Sequence, residues 1–389
     1  MTEFSFDTHL ETRGIRNFQA SFKARNAVKS LFKATLVGLQ GGLNGEVSEK
    51  NFFDQISPPS LRMYSLLTPS KPEKIEGIQL LLPGLAQSFP NVSFYTPFIR
   101  PIDHLFNLNR INSKIAPEKA KDLILKNEFT NILSKYSKPQ STESNQNLSS
   151  ANLSLESIQT LYASIYDWSD KNAEIDYLDS NIEGHIQIDD TEWEVKNSAF
   201  DKLSEIMLLQ SKLYEEGYLE FQIPFDSLKP EENSWSQNFT VYPVGNIKGK
   251  STGEPKININ LASQIDVSDF LKRYQSNNAD TSTKQKYVDS ADLIAEVLID
   301  DINEQEYYKN FNQIFSKLDS DPLTSGLPKL EEDFFILWSN WYGIHLVTEI
   351  ENVKAEVRAV VEVKRDENGK VEKNDNGDYA ITIHEFQLR

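Results

Sequence analysis

Apolar positions recur most regularly between residues 14 and 40, GIRNFQASFKARNAVKSLFKATLVGLQ. Phe18, Phe22, Val28, Phe32, Leu36 and Leu39 follow one another at spacings of mostly three and four, which predicts one long amphipathic helix with these side chains on a single stripe. Lys23, Arg25, Lys29 and Lys33 take the other faces, and the glycines of GGLNGE stop the helix. Residues 75–112 carry Pro83, Pro90, Pro97 and Pro101, a spacing that predicts short edge-like strands rather than helix. The pattern turns helical at about 115–135, and a polar low-complexity stretch at 137–153 predicts a loop. LESIQTLYASIYDW is a helix with Ser154 as its N-cap. FDKLSEIMLLQSKLYEEG is another, with Asp201 near its start; FTVYP is a short strand, and 287–318 holds two more helices. The last sixty residues alternate with a period of two, FFILWSNWYGIHLVTEIENVKAEVRAVVEVKRD and YAITIHEFQL, joined by the turn-rich DENGKVEKNDNGD. Strands at both ends of a chain with helices between them predict an α+β domain interrupted by a helical insertion.

Composition narrows the functions open to such a chain. The 389 residues exceed one ordinary domain, and the 39% hydrophobic content is enough for packed cores. A formal charge of −18 opposes nucleic acid and anionic bilayers alike. The absence of cysteine excludes disulfides, thiolate nucleophiles and sulfur-ligated zinc. No apolar run is long enough to span a membrane, and the polar opening MTEFSFDTHLETRGIRN reads as the start of a trimmed chain or of a mature soluble region.

Candidate chemistry is sparse. His9, His104, His185, His345 and His384 share no metal-ligand spacing, and no nucleophile elbow, phosphate loop or dinucleotide fingerprint occurs. Two segments repeat asparagine at alternate positions, FNLNRIN at 106–112 and KININLAS at 256–263. Asparagine is depleted inside strands, so these side chains are expected to bond backbone groups and lock the chain's turns. The stretch IYDWSDKNAEIDYLD at 165–179 gathers Asp167, Asp170, Asn172, Glu174 and Asp176, alternating oxygen donors that suit a hard divalent cation such as Ca2+. A solvated acidic loop accounts for the same residues, and a secreted or periplasmic metal-dependent hydrolase using the loop 167–179 is the alternative function.

These motifs, taken in order, resemble those of the K subunit of the bacterial type II secretion system, a large minor pseudopilin of the general secretion pathway protein K family. ASFKARNAVKSLFKA at 20–34 is similar to that family's alanine-rich N-terminal helix, with Asn26-Ala27 where Ser-Gly is usual. DHLFNLNRIN (103–112), DWSDKNAEIDYLD (167–179), VKNSAFDKLSEIMLL (195–209), and FTVYP followed by KININLAS match its later segments in the same order. The resemblance implies a pilin-like domain, a long N-terminal helix on an antiparallel sheet, interrupted by a large all-α insertion with SAM-like and helix-hairpin-helix-like units. The expected divisions are 1–112, 113–238, 239–330 and 331–389, the last completing the pilin-like sheet. It further implies a non-enzymatic subunit that caps and initiates the pseudopilus, forming a tip complex with the I and J minor pseudopilins, with H as a further partner. Phe18, Phe22, Val28 and Phe32 would then partly cover the chain's own sheet and partly face those partners. Full-length members begin with a leader and a hydrophobic anchor, so this chain looks like the periplasmic region of an inner-membrane-anchored protein. Calcium binding in the family adds to the case for the acidic loop.

Overall fold

The computed structural model describes residues 2–42, 83–95, 98–111, 119–136, 152–169, 185–188, 191–194, 196–225, 234–243, 246–247, 250–251, 255–262, 264–273, 281–304, 308, 310–327, 334–365, 371–373 and 380–389. They form two units, one from residues 1–102 and 338–389, the other from 103–337.

In the first unit, α1 (Thr2–Gly42) is the long helix the periodicity predicts. A short helix α2 (Pro83–Ser88) follows, then β1 (Ser93–Phe94) and β2 (Phe98–Pro101). Helix α2 corrects the expectation of strand around Pro83. Proline is disfavoured inside a helix but well suited to its first position, where its missing N–H had no partner to lose. Strands β11 (Trp341–Ile350), β12 (Val353–Val363) and β13 (Ile381–Leu388) complete an antiparallel sheet in which β1 and β2 share one side of β11 and the order continues β11-β12-β13. Pro101 sits on the edge strand β2, opposite Tyr342, where a missing donor is tolerated.

The long alternating run at 334–366 proves to hold the short strand Phe335–Ile336 and then β11 and β12 with a turn between them. Ile350 pairs with Val353, and the two residues between, Glu351 and Asn352, have φ of 49° and 67°. Positive φ at both central positions is the geometry of a type I′ hairpin, which matches the right-handed twist of the flanking strands. The turn was hidden because Asn352 suits that backbone and Glu351 does not. Alternation then settles which face is covered. Ala355, Val357, Ala359, Val361 and Val363 are buried, while the residues between them are at least partly exposed.

The second unit is mostly helical. Its elements are β3 (Phe106–Asn107), α3 (Ala120–Leu133), α4 (Leu155–Ser169), the hairpin β4 (His185–Ile188) with β5 (Thr191–Glu194), and α5 (Ile206–Glu215). They continue through α6 (Trp235–Asn238), β6 (Phe239–Thr240), the small pair β7 (Asn246–Ile247) and β8 (Lys250–Ser251), β9 (Ile257–Asn258), α7 (Gln264–Arg273), α8 (Thr281–Glu304), α9 (Phe311–Ser320) and β10 (Phe335–Ile336). Ser154 caps α4 as expected, its Oγ accepting from the N–H of Ser157 at 3.1 Å. Asp201 caps nothing by its side chain. It pairs with Lys196 instead, and the carboxylate of Glu205 accepts from the N–H groups of Asp201 and Lys202. The hairpin β4–β5 has no counterpart in the sequence reading.

The two asparagine repeats form the same lock twice. Asn107 Oδ1 accepts from the Asn109 N–H, and Asn258 Oδ1 accepts from the Asn260 N–H. Asn109 donates its amide to the carbonyls of Phe200 and Val241 and accepts from the Phe200 N–H. Asn260 donates to the carbonyls of Tyr308 and Leu337 and accepts from the Tyr308 N–H. The registers agree as well. The parallel pair β3–β6 sets Asn107 opposite Thr240, one residue before Val241, and the parallel pair β9–β10 sets Asn258 opposite Ile336, one residue before Leu337. In both halves a helix starts shortly after the clamped residue, at Leu203–Glu205 running into α5 and at Phe311. One core, built on Phe106, Phe129, Tyr162, Trp235 and Phe239, fills the first half. The second half buries Ile257, Phe270, Leu298, Tyr308 and Phe335.

Each lock ties backbone far apart in sequence with three side-chain hydrogen bonds. Asn260→Ala therefore removes all three and should destabilise the protein by about 3 kcal/mol, measured as a shift in denaturant midpoint. Asn109, which is less deeply buried, should cost less on the same substitution, and a null effect at both positions would dismiss the lock.

Candidate partner-binding surface

Helix α1 meets the sheet through small residues. Ala20, Ala24, Ala27, Val28, Leu31, Phe32, Thr35 and Leu39 are its buried positions, and they recur at helical spacing. Alanines at 20, 24 and 27 let the backbone come close to β11 and β12. The buried hydroxyl of Thr348 on β11 donates to the Ala24 carbonyl at 2.9 Å, fixing the helix along its axis. Phe32 reaches the edge strand, its ring 5.2 Å from that of Phe386.

This contact divides the predicted stripe. Val28 and Phe32 lie against the chain's own sheet, whereas Phe18 and Phe22 are 72% and 60% exposed. The physical reason is the spacing between Phe22 and Val28. Six residues turn a helix through about 600°, so the two side chains stand about 120° apart. The buried stripe is continued upstream by alanines, which a reading weighted towards large side chains passes over. Ile15, which the sequence reading left out, joins Phe18 and Phe22 on the outward face at 59% exposure, and the spacing of three and four residues among the three is its signal. Residues 13–19 are exposed on every side of the helix.

The other predicted residues lie elsewhere. Asp167, in the last turn of α4, is completely buried, next to Trp168, whose indole stacks on Phe200 at 5.8 Å. Asp170, Asn172, Glu174 and Asp176 fall outside the described residues. No group of three or more metal-ligating side chains occurs among the described residues. His345 and His384 occupy the sheet with carboxylate neighbours, at 3.3 Å from Glu356 and 3.0 Å from Glu362. The hydrogen bond from His345 holds the Glu356 carboxyl below the usual carboxylate range. The Trp341 ring lies tilted against that of His384 at 4.6 Å, and Trp341 and Tyr342 are buried. None of the described helices is long and apolar enough to cross a membrane.

No protein-family model and no curated protein sequence matches the chain. Among solved structures, the chain is similar to one from the GspK-GspI-GspJ complex of the enterotoxigenic Escherichia coli Type 2 Secretion System. The likeness spans 97% of this chain and 99% of that one, with a TM-score of 0.50 and 10% identity. At that identity the likeness establishes a shared fold: a mixed α and β chain built on an antiparallel sheet.

Alanine substitution separates the two faces of α1. Val28→Ala and Phe32→Ala should each lower stability by about 2–4 kcal/mol, because each opens a gap beneath the helix. Phe18→Ala and Phe22→Ala should change it by less than about 0.5 kcal/mol. Thermal or denaturant unfolding of the four variants reads the difference.

Proposed function

We propose that this chain is a minor pseudopilin of a bacterial type II secretion system, working as an assembly subunit rather than as an enzyme. One observation carries the reading: a fold shared with a chain of the GspK-GspI-GspJ complex over almost the whole of both, in a molecule whose helix α1 leaves Ile15, Phe18 and Phe22 in solvent. Seven consecutive residues exposed on all sides gain nothing from tertiary packing, and isolated helical segments are marginal in water. A helix partner supplies that packing. On this reading the subunit joins I-type and J-type pseudopilins through α1, with an H-type subunit as a further neighbour, and acts in the periplasm at the pseudopilus tip. Its inserted unit gives it the bulk to cap a filament.

The hydrolase alternative needs an open carboxylate on the acidic loop. Asp167, the one carboxylate of that loop among the described residues, is enclosed in the helical unit, which favours a structural role for this residue. For the loop we propose Ca2+, with Asp167, Asp170, Asn172, Glu174 and Asp176 as the side-chain ligands, on the ground of their alternating oxygen donors. The set is all oxygen, as a hard cation demands.

Co-purification with soluble domains of the I and J pseudopilins from the same secretion system tests the assembly reading. A stable ternary complex is expected, and Phe18→Glu with Phe22→Glu should abolish it while leaving the unfolding midpoint unchanged. Failure of the unaltered chain to join either domain would overturn the reading. For the metal, titration calorimetry should show heat with Ca2+ and a raised melting temperature, both lost in Asp170→Ala with Asp176→Ala. A flat titration would remove the site.

A further inference from the structure

The outward face of α1 carries charge as well as apolar side chains. Between Thr12 and Asn44 the sequence holds six basic residues, Arg13, Arg16, Lys23, Arg25, Lys29 and Lys33, and no acidic one, in a chain of net charge −18. All six are exposed. None forms an ion pair with another described residue, although carboxylates outnumber cations in the chain 58 to 40.

Their placement follows a seam. Ile15, Phe18, Phe22, Arg25 and Lys29 succeed one another at intervals of three and four, the spacing at which a second helix is met on every turn. The first three positions are apolar and the next two cationic. A helix laid along this seam meets hydrocarbon first and then two positive charges. A lipid surface fits less well, because the apolar part is a narrow strip of three residues rather than a broad face, and the chain as a whole is repelled by anionic lipid.

We propose that this face of α1 takes an acidic amphipathic helix of a partner protein, seated with its apolar residues on Ile15, Phe18 and Phe22 and its carboxylates on Arg25 and Lys29. The identity of that partner as a pseudopilin rests on the assembly reading above, whereas its chemistry rests on the seam.

The test uses the full chain and two probes, read by calorimetry or fluorescence anisotropy. One probe is the pair of soluble I and J domains. The other is a synthetic helical peptide with leucine at the seam positions facing Ile15, Phe18 and Phe22 and glutamate at those facing Arg25 and Lys29, alongside a twin with lysine in place of glutamate. The glutamate peptide should bind, with affinity falling about tenfold or more as salt rises from about 0.05 to about 0.5 M. The lysine twin should not bind. Arg25→Glu with Lys29→Glu should reverse this preference, an exchange that a merely structural role for the two cations would not produce, and its unfolding midpoint serves as the folding control.

Binding of the glutamate peptide without the I and J domains would support the inference while sinking the assembly reading. Assembly with those domains that ignores both salt and the double reversal would sink the inference and leave the reading standing. Equal binding of the two peptides, binding of neither, or binding to phosphatidylglycerol vesicles or to a second copy of this chain in place of the peptide would each overturn it.

Discussion

The close seating of α1 on β11 and β12 is the constraint from which the surface follows. Alanines at 20, 24 and 27 allow the helix backbone near the sheet, and the Thr348 hydroxyl reaches the Ala24 carbonyl across that short gap. A larger residue at any of these alanines would lift the helix and leave both polar groups buried without each other. Once these positions face inward, a 3.6-residue period decides the rest. Ile15, Phe18 and Phe22 are carried to the far side, as are Lys29 and Lys33. The exposure of Phe22 is thus a consequence of helix register, and no rotation of α1 could bury it without exposing Val28, Leu31 and Phe32, whereas Ile15 and Phe18 lie in the stretch 13–19 that is exposed on every side.

The inserted unit achieves rigidity by a different route. Among the described residues it has no large sheet, and its parallel strand pairs are two residues long. Asparagine amides do the joining in their place. A side-chain amide carries both donors and an acceptor, so one residue can satisfy the N–H and the C=O of one distant residue and the carbonyl of another. Asn109 and Asn260 each do this at equivalent registers. The two halves therefore share a joint while filling it with different side chains, Phe200 in one and Tyr308 in the other. For a molecule whose proposed task is to be wide and stiff, such joints hold helices in place without exposing a long strand edge.

Sequence showed the elements whose signal is local. The period of α1, the alternation of β12 and β13, the serine cap of α4 and the asparagine locks all express rules that act within a few residues. What stayed hidden depended on tertiary partners or on atypical residues. Glu351 stands at a positive φ that glutamate does not advertise. Pro83 looked like a helix breaker and was a helix starter. The division of the α1 stripe was concealed because alanine contributes little to a pattern of large side chains, yet close packing selects it. Ile15 was readable at its spacing from Phe18 and Phe22, but only after the sheet side of the helix was known. The acidic loop divides differently: Asp167 could be named from its neighbours, while its burial belongs to the packing of α4.

Charge and hydrocarbon act on different aspects of the same α1 face. Three apolar side chains along one strip bury too little area by themselves to make a stable interface of ordinary size, and they would accept almost any greasy helix. Two cations further along the seam add modest affinity at a solvated site but discriminate strongly, since a like charge placed opposite them is repelled. In a chain of net charge −18, the stretch of α1 from Thr12 to Gly42 carries six cations and no carboxylate, so an acidic partner meets no like charge from that stretch. A short apolar contact that continues into a charged one sets register as well as identity, because sliding the partner one way puts carboxylates on phenylalanine and sliding it the other way puts hydrocarbon on Arg25 and Lys29. The polarity of α1 within an otherwise acidic molecule is in this sense the specificity that its apolar strip lacks.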